Sequence, residues 1–312
     1  MKNQSTLNWL VPLIAVLALV ATGIGLFYPN EGSPFSFTAV RGETVQIWGR
    51  GWYRYDTPIG ALSFRAGDLT TLFLAIPVLI LSFVMYRQGS MRGGLLLTGA
   101  LSYFLYTYIS VGFGATYNNL FLVYVLTFSA SLFGLILALT SFDVQALPAH
   151  FVGTLPRRGI GIFLVVSGII LSLIWLVLSI LPALFQSKAP PEAYFYTTFM
   201  TGIVDIGIVA PALLIAGVLL WRRAPLGYLL ASTMLIFTCI LGPNLTAGGT
   251  IQVIEKVITL GQAMAFTVPF VILALIALGL TISLFRNFSE EPYGKPTIKH
   301  KQRSRNERYL IS

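Results

Sequence analysis

The sequence predicts an all-α polytopic membrane protein of about eight transmembrane helices, with a small β-containing loop on one side. Composition is the first ground: 56% of the 312 residues are hydrophobic and only 10% charged, with a mean hydropathy of +0.80. Soluble domains carry about a quarter charged residues, which excludes a globular cytosolic or secreted enzyme. The second ground is the set of charge-free stretches, several of which exceed the ~18 residues that cross the hydrocarbon core as a helix. The third is the placement of Lys and Arg. A net charge of +9 in a soluble chain would suggest nucleic acid; here the lipid bilayer is the expected partner and nucleic acid is not.

Taken in order, Lys2 and Glu31 bracket a first span at about 8–27. It is expected to be a retained anchor, because 10–28 is longer than the ~7–15 apolar residues of a signal peptide and no small-x-small cleavage site follows. Residues 28–67 form the one sizeable loop before the tail. Alternation of aromatic and β-branched residues in 34–39, 44–48 and 61–64, with glycines between, predicts two or three short strands. Forty residues are too few to bury a core alone, so the loop should lie on the helix ends as a cap. Trp48, Trp52, Tyr53 and Tyr55 with Arg50 and Arg54 read either as a ligand lid or as an interfacial aromatic belt.

The second span, 69–86, follows Asp68, which resembles a helix N-cap with Thr71 three residues on. Between Arg92 and Asp143 the uncharged run is too long for one crossing. The turn signals at 112–119 divide it into spans near 94–112 and 120–141. A fifth span covers 159–186, and a sixth covers 199–221, interrupted only by Asp205. The seventh, about 226–241, ends at Gly242-Pro243-Asn244, and the Gly-rich loop 242–249 reads as a mouth or re-entrant segment. The eighth covers 259–285.

With the N-terminus inside, fourteen Lys and Arg fall on inner segments and six on outer ones, as the positive-inside rule requires of an even helix count. The expectation is a plasma-membrane protein with both termini cytoplasmic. Residues 1–286 form the bundle, and 287–312 read as a disordered basic cytoplasmic tail. Acid, proline, basic turn and Leu-rich strings recur at corresponding places in 8–141 and 159–286, consistent with two parallel four-helix repeats.

Chemistry centres on Asp205, because a carboxylate within a span costs at least ~2.5–3.5 kcal/mol unless partnered or wet. Helical spacing puts Thr201, Gly202, Ile208 and Val209 on or near its face, and Gly202 would let a neighbouring helix approach. Tyr103, Tyr106 and Ser110 form one stripe on the third helix, able to line a polar path or bond Asp205, with Tyr108 pointing elsewhere. Asn118, Asn119 and Asn244 supply amides at the mouth. The expected binding set is therefore Asp205, Asp68, Tyr103, Tyr106, Asn118, Asn119 and Asn244. The lone Cys239 and the two histidines, His150 and His300, allow no disulfide, bis-His haem or intramembrane zinc site. No nucleotide-binding or nucleophile-elbow motif occurs, and no cofactor is expected. The leading functional expectation is transport of a small cationic solute or an ion around Asp205. The alternative is a non-catalytic sensor or accessory subunit serving a partner membrane protein. A membrane enzyme acting on a lipid-linked substrate is third, weakened by the lack of a nucleophile and base pair.

Overall fold

A computed structural model of the chain describes residues 3–190, 193 and 195–291. Eight helices in it are long and apolar enough to cross a bilayer: α1 Gln4–Phe27, α2 Pro58–Arg87, α3 Met91–Gly114, α4 Phe121–Thr140, α5 Arg157–Gln186, α6 Met200–Trp221, α7 Pro225–Ile254 and α8 Leu260–Arg286. Strands β1 Phe35–Thr38 and β2 Thr44–Ile47 make one antiparallel hairpin, with Phe35 opposite Ile47 and Thr38 opposite Thr44. The chain is a polytopic membrane protein whose surroundings are lipid, where helices satisfy their own backbone polar groups.

Even crossings put the start of α1, the turns after α2 and α6, and residues 287–291 at one end, the tail end. Asn3 Nδ2 donates to the Leu137 carbonyl near the close of α4 (3.2 Å). Glu290 accepts from Ser90 Oγ (2.6 Å) and the Met91 amide (2.8 Å), an anion at the positive end of α3. The hairpin marks the other end, the cap end. The basic run beyond residue 291 lies outside the described residues.

Two boundaries differ from expectation. Helix α2 begins at Pro58, where the Thr57 side chain accepts from the Gly60 amide (3.2 Å). Thr at the N-cap with Pro at the first helical position is a strong start signal, so Asp68 is not an N-cap but a buried residue well inside α2. The cap loop accordingly ends at 57 rather than 67, and 61–64 is helix, not strand. Residues 242–249 are helical too: α7 runs unbroken through Pro243, and neither a loop nor a re-entrant segment forms. Its glycines serve packing instead. A Cβ at Gly242 would overlap Ala274, and one at Gly249 would overlap Thr267 Oγ1, both on α8, so these positions let two helices approach closely.

Three helices carry one widened π turn: Thr71–Ala75 in α2, Leu176–Ile180 in α5 and Asp205–Val209 in α6. Each ends two residues before a proline, Pro77, Pro182 and Pro211. A proline ring lacks an N–H and crowds the carbonyl four residues back, and widening the turn relieves that clash.

Packing separates the halves. In the first, α1 lies against α2 and α4, α2 against α3, and α3 against α4, closing a ring. In the second, α5 packs on α6, α6 on α7 and α7 on α8. The α5–α6 seam is tight, since a Cβ on Gly161 would sit 2.9 Å from the Gly217 carbonyl and one on Gly217 2.6 Å from that of Gly161. Among the described residues α5 and α8 are not a closely packed pair; they meet through Trp175 and Phe266, ring centroids 6.4 Å apart. Helix α7 joins the halves by packing on α2 and α3. The internal repeat expected over 8–141 and 159–286 is not shown by this arrangement.

Candidate functional site

A cavity of about 1000 Å³ opens among α2, α3, α5, α6, α7 and α8, under the hairpin and the 195–199 segment. Its walls are mostly apolar and aromatic, and both Asp68 and Asp205 line it. A concave apolar space with few convergent polar groups is the usual form of a small-molecule site.

Asp205 is 5% exposed. Trp175 Nε1 donates to its Oδ2 at 2.8 Å, and the Tyr106 hydroxyl is its second hydrogen-bond partner. The Trp175 ring stands edge-on to Phe199, centroids 5.0 Å apart. Gly202 makes room for that Phe199 ring, with a built Cβ 2.5 Å from it, and not for a neighbouring helix. Thr201 and Val209, four residues either side, line the cavity with Asp205 as helical spacing expects, whereas Gly202 is buried and Ile208 is exposed away from it.

Asp68 is 8% exposed and accepts from the Tyr53 hydroxyl at 2.9 Å. Gly25 of α1 leaves the space for its carboxylate, which a Cβ there would overlap. Arg65, in the preceding turn, acts on it through space. Behind Tyr53 lies Tyr124, whose hydroxyl accepts from Trp52 Nε1 (3.0 Å). Both acids thus have neutral hydrogen-bond partners.

The expected residues divide. Asp205, Asp68, Tyr106 and Asn244 line the one cavity. Tyr103 is fully buried behind its wall, where its hydroxyl pairs with Thr71 Oγ1 (3.3 Å) and Asn244 Nδ2 (3.4 Å). Asn118 holds the α3–α4 turn by accepting from the Leu120 amide (3.0 Å), and Asn119 is exposed; neither lines the cavity. Tyr124, Trp175 and Gln252 line it without being among the expected residues, Tyr108 lines it against the expectation that it points elsewhere, and Tyr53, one of the aromatics read as a lid, lines it from the cap. Trp175 had one signal: it sits in the middle of a span, away from the interfaces where Trp usually gathers.

The cap is docked. Trp48 and Tyr53 are buried, and the Arg50 and Arg54 guanidinium groups stand over Trp48 (5.2 Å) and Tyr55 (5.1 Å). Stacked on their own neighbours, these groups do not form an open lid. Arg41 reaches across from the hairpin to the Ala193 (3.2 Å) and Thr197 (3.3 Å) carbonyls. Asp56 is the knot: its Oδ1 accepts from the Thr116 amide (2.8 Å), Thr116 Oγ1 (2.9 Å) and the Tyr196 hydroxyl (3.0 Å). Burial pushes the Asp56 carboxyl up to about 6, against hydrogen bonds from Thr116 and Tyr196 that pull it down. Burial likewise raises the Tyr53 and Tyr196 hydroxyls.

Among the described residues no three His, Cys, Asp or Glu side chains gather as a metal site. Comparison with protein-family models, curated proteins and solved structures found no match.

Proposed function

We propose that this membrane protein transports a small solute, and that the solute is cationic and is held at Asp205. The observation that carries the reading is the pair of buried carboxylates, Asp68 and Asp205, facing one cavity with only neutral hydrogen-bond donors bound to them. Acids kept within a membrane span at a cost of several kcal/mol mark ion or substrate paths. The aromatic walls suit an organic cation, which gains from ring faces as well as from charge. In this reading the site lies in the outer half of a plasma-membrane protein, the cap faces outward and both termini are cytoplasmic, supported by the bias of Lys and Arg to the tail-end segments. The non-catalytic sensor or accessory role draws on the docked cap and on the scarcity of charge within the spans, and has no comparable polar feature behind it.

The test is the melting temperature of wild type and Asp205→Asn in detergent, from pH 5 to 9, with Na⁺, K⁺ or tetramethylammonium varied. A site that binds only the folded state raises stability with ligand concentration. The wild type should show a cation-dependent rise that the variant lacks. Identical responses from the two proteins would remove Asp205 as a binding residue.

A further inference from the structure

The side of the cavity between α5 and α8 is open in a way its neighbours are not: α5 packs closely on α6, α6 on α7 and α7 on α8, whereas α5 and α8 are bridged by the Trp175 and Phe266 rings. Phe266 lines the cavity and is 42% exposed, so no packed neighbour covers it there. Helix α8 has the smallest buried share of the eight. From Phe266 to Leu273 the cavity-lining face of α8 runs about 10 Å along the helix axis, with Phe270 between, and Leu171 of α5 lines the same cavity one turn before Trp175. Asp205 stands at the inner end of this gap, since its partner Trp175 is one of the two bridging rings.

We infer that the substrate class is a single-chain amphiphile with a cationic head, which reaches the cavity from the bilayer between α5 and α8. The inference rests on the Asp205 reading above. The head lies against Asp205, whose carboxylate has lone pairs beyond those used by Trp175 and Tyr106, and the chain lies in the gap against Leu171, Phe266 and Phe270. The charge complementarity selects the head, and the lipid-open apolar wall selects the chain. Trp175 begins the turn that widens at Leu176–Ile180, a place where a helix adjusts its ring without breaking.

The experiment uses the full chain in phosphatidylcholine nanodiscs with a diazirine-bearing dodecyltrimethylammonium as photoprobe, and adducts are mapped by mass spectrometry. Adducts are expected on α5 and α8 at the gap, competed by dodecyltrimethylammonium at concentrations at least tenfold lower than tetramethylammonium. Asp205→Asn should reduce this labelling at least tenfold while its unfolding temperature stays near wild type. Leu171→Trp, which fills the gap from α5, should weaken the dodecyl compound about tenfold and leave tetramethylammonium binding unchanged. Equal competition by the two cations, or a Leu171→Trp variant that treats them alike, would overturn lateral access and leave the cation site standing. Labelling spread over the lipid-facing helices and indifferent to Asp205 would overturn the amphiphile, and with no tetramethylammonium stabilisation either, the transport reading falls as well.

Discussion

Helices α1 and α4 pack against each other and close the first four spans into a ring, whereas among the described residues α5 and α8, the corresponding pair by order of crossing, are not closely packed and meet through the Trp175 and Phe266 rings. The two halves have the same number of spans, the same alternation of turns and comparable hydropathy. What separates them is where the small residues fall. Glycines draw α5 tightly onto α6 and α7 tightly onto α8, and two tight pairs leave a gap between their outer members. In the first half Gly25 is used differently, to admit the Asp68 carboxylate between α1 and α2. The comparison teaches that closure in lipid is a matter of which helices can approach, since apolar surface alone supplies little preference between protein and lipid neighbours.

The largest expected effect comes from truncating matched leucines in the two halves. Leu101 of α3 is fully buried in the closed half, and Leu278 of α8 is 47% exposed in the open one. Leu101→Ala should cost roughly 2–5 kcal/mol through the cavity it leaves, and Leu278→Ala less than about 1 kcal/mol, as read from reversible unfolding in mixed micelles. Equal costs would break the distinction between a packed and an open half.

A second test addresses the clasp that holds the halves together at the cap end. Asp56 binds Thr116 of the first half and Tyr196 of the second, and its carboxyl is raised from the ordinary 3.8 to about 6. Between those values the folded chain holds the proton more tightly than the unfolded one. The associated stability is therefore fully present below about pH 4 and is lost as pH rises through 6, a change of about 3 kcal/mol. The melting temperature of the wild type should fall across that window. Asp56→Asn keeps the acceptor oxygen and should flatten the fall; a variant that follows the wild-type curve would show that the clasp is not what titrates.

The smallest effect sharpens the comparison within the closed half. Trp52→Phe keeps an aromatic ring beside Tyr28 but removes the hydrogen bond to the Tyr124 hydroxyl and part of the ring, with the hydrogen bond alone worth about 1 kcal/mol. Hydrogen exchange of the cap amides should rise slightly while the helices keep their protection. Wholesale exchange of α4 in that variant would mean that the cap, rather than helix packing, closes the first half.

The sequence alone was enough to count the crossings and to single out Asp205, because burying charge in hydrocarbon is expensive wherever it occurs, and that cost is local to a stretch of chain. It was enough also to anticipate a docked cap and a bond from the third helix to Asp205, made by Tyr106. It misassigned Asp68 and the 242–249 segment, because Asp before a span and Gly-Pro-Asn in one are read as a cap and a turn by rules that hold in water. Inside the bundle the same residues answer to neighbours: Tyr53 holds Asp68, and Ala274 and Thr267 need the glycines of α7. Only the tertiary structure decided that Trp175 meets Asp205, that both acids share one cavity and that α5 stands apart from α8. In lipid a leucine facing a helix and a leucine facing an acyl chain are alike in hydropathy, so the pattern of apolar residues carries no record of which faces meet.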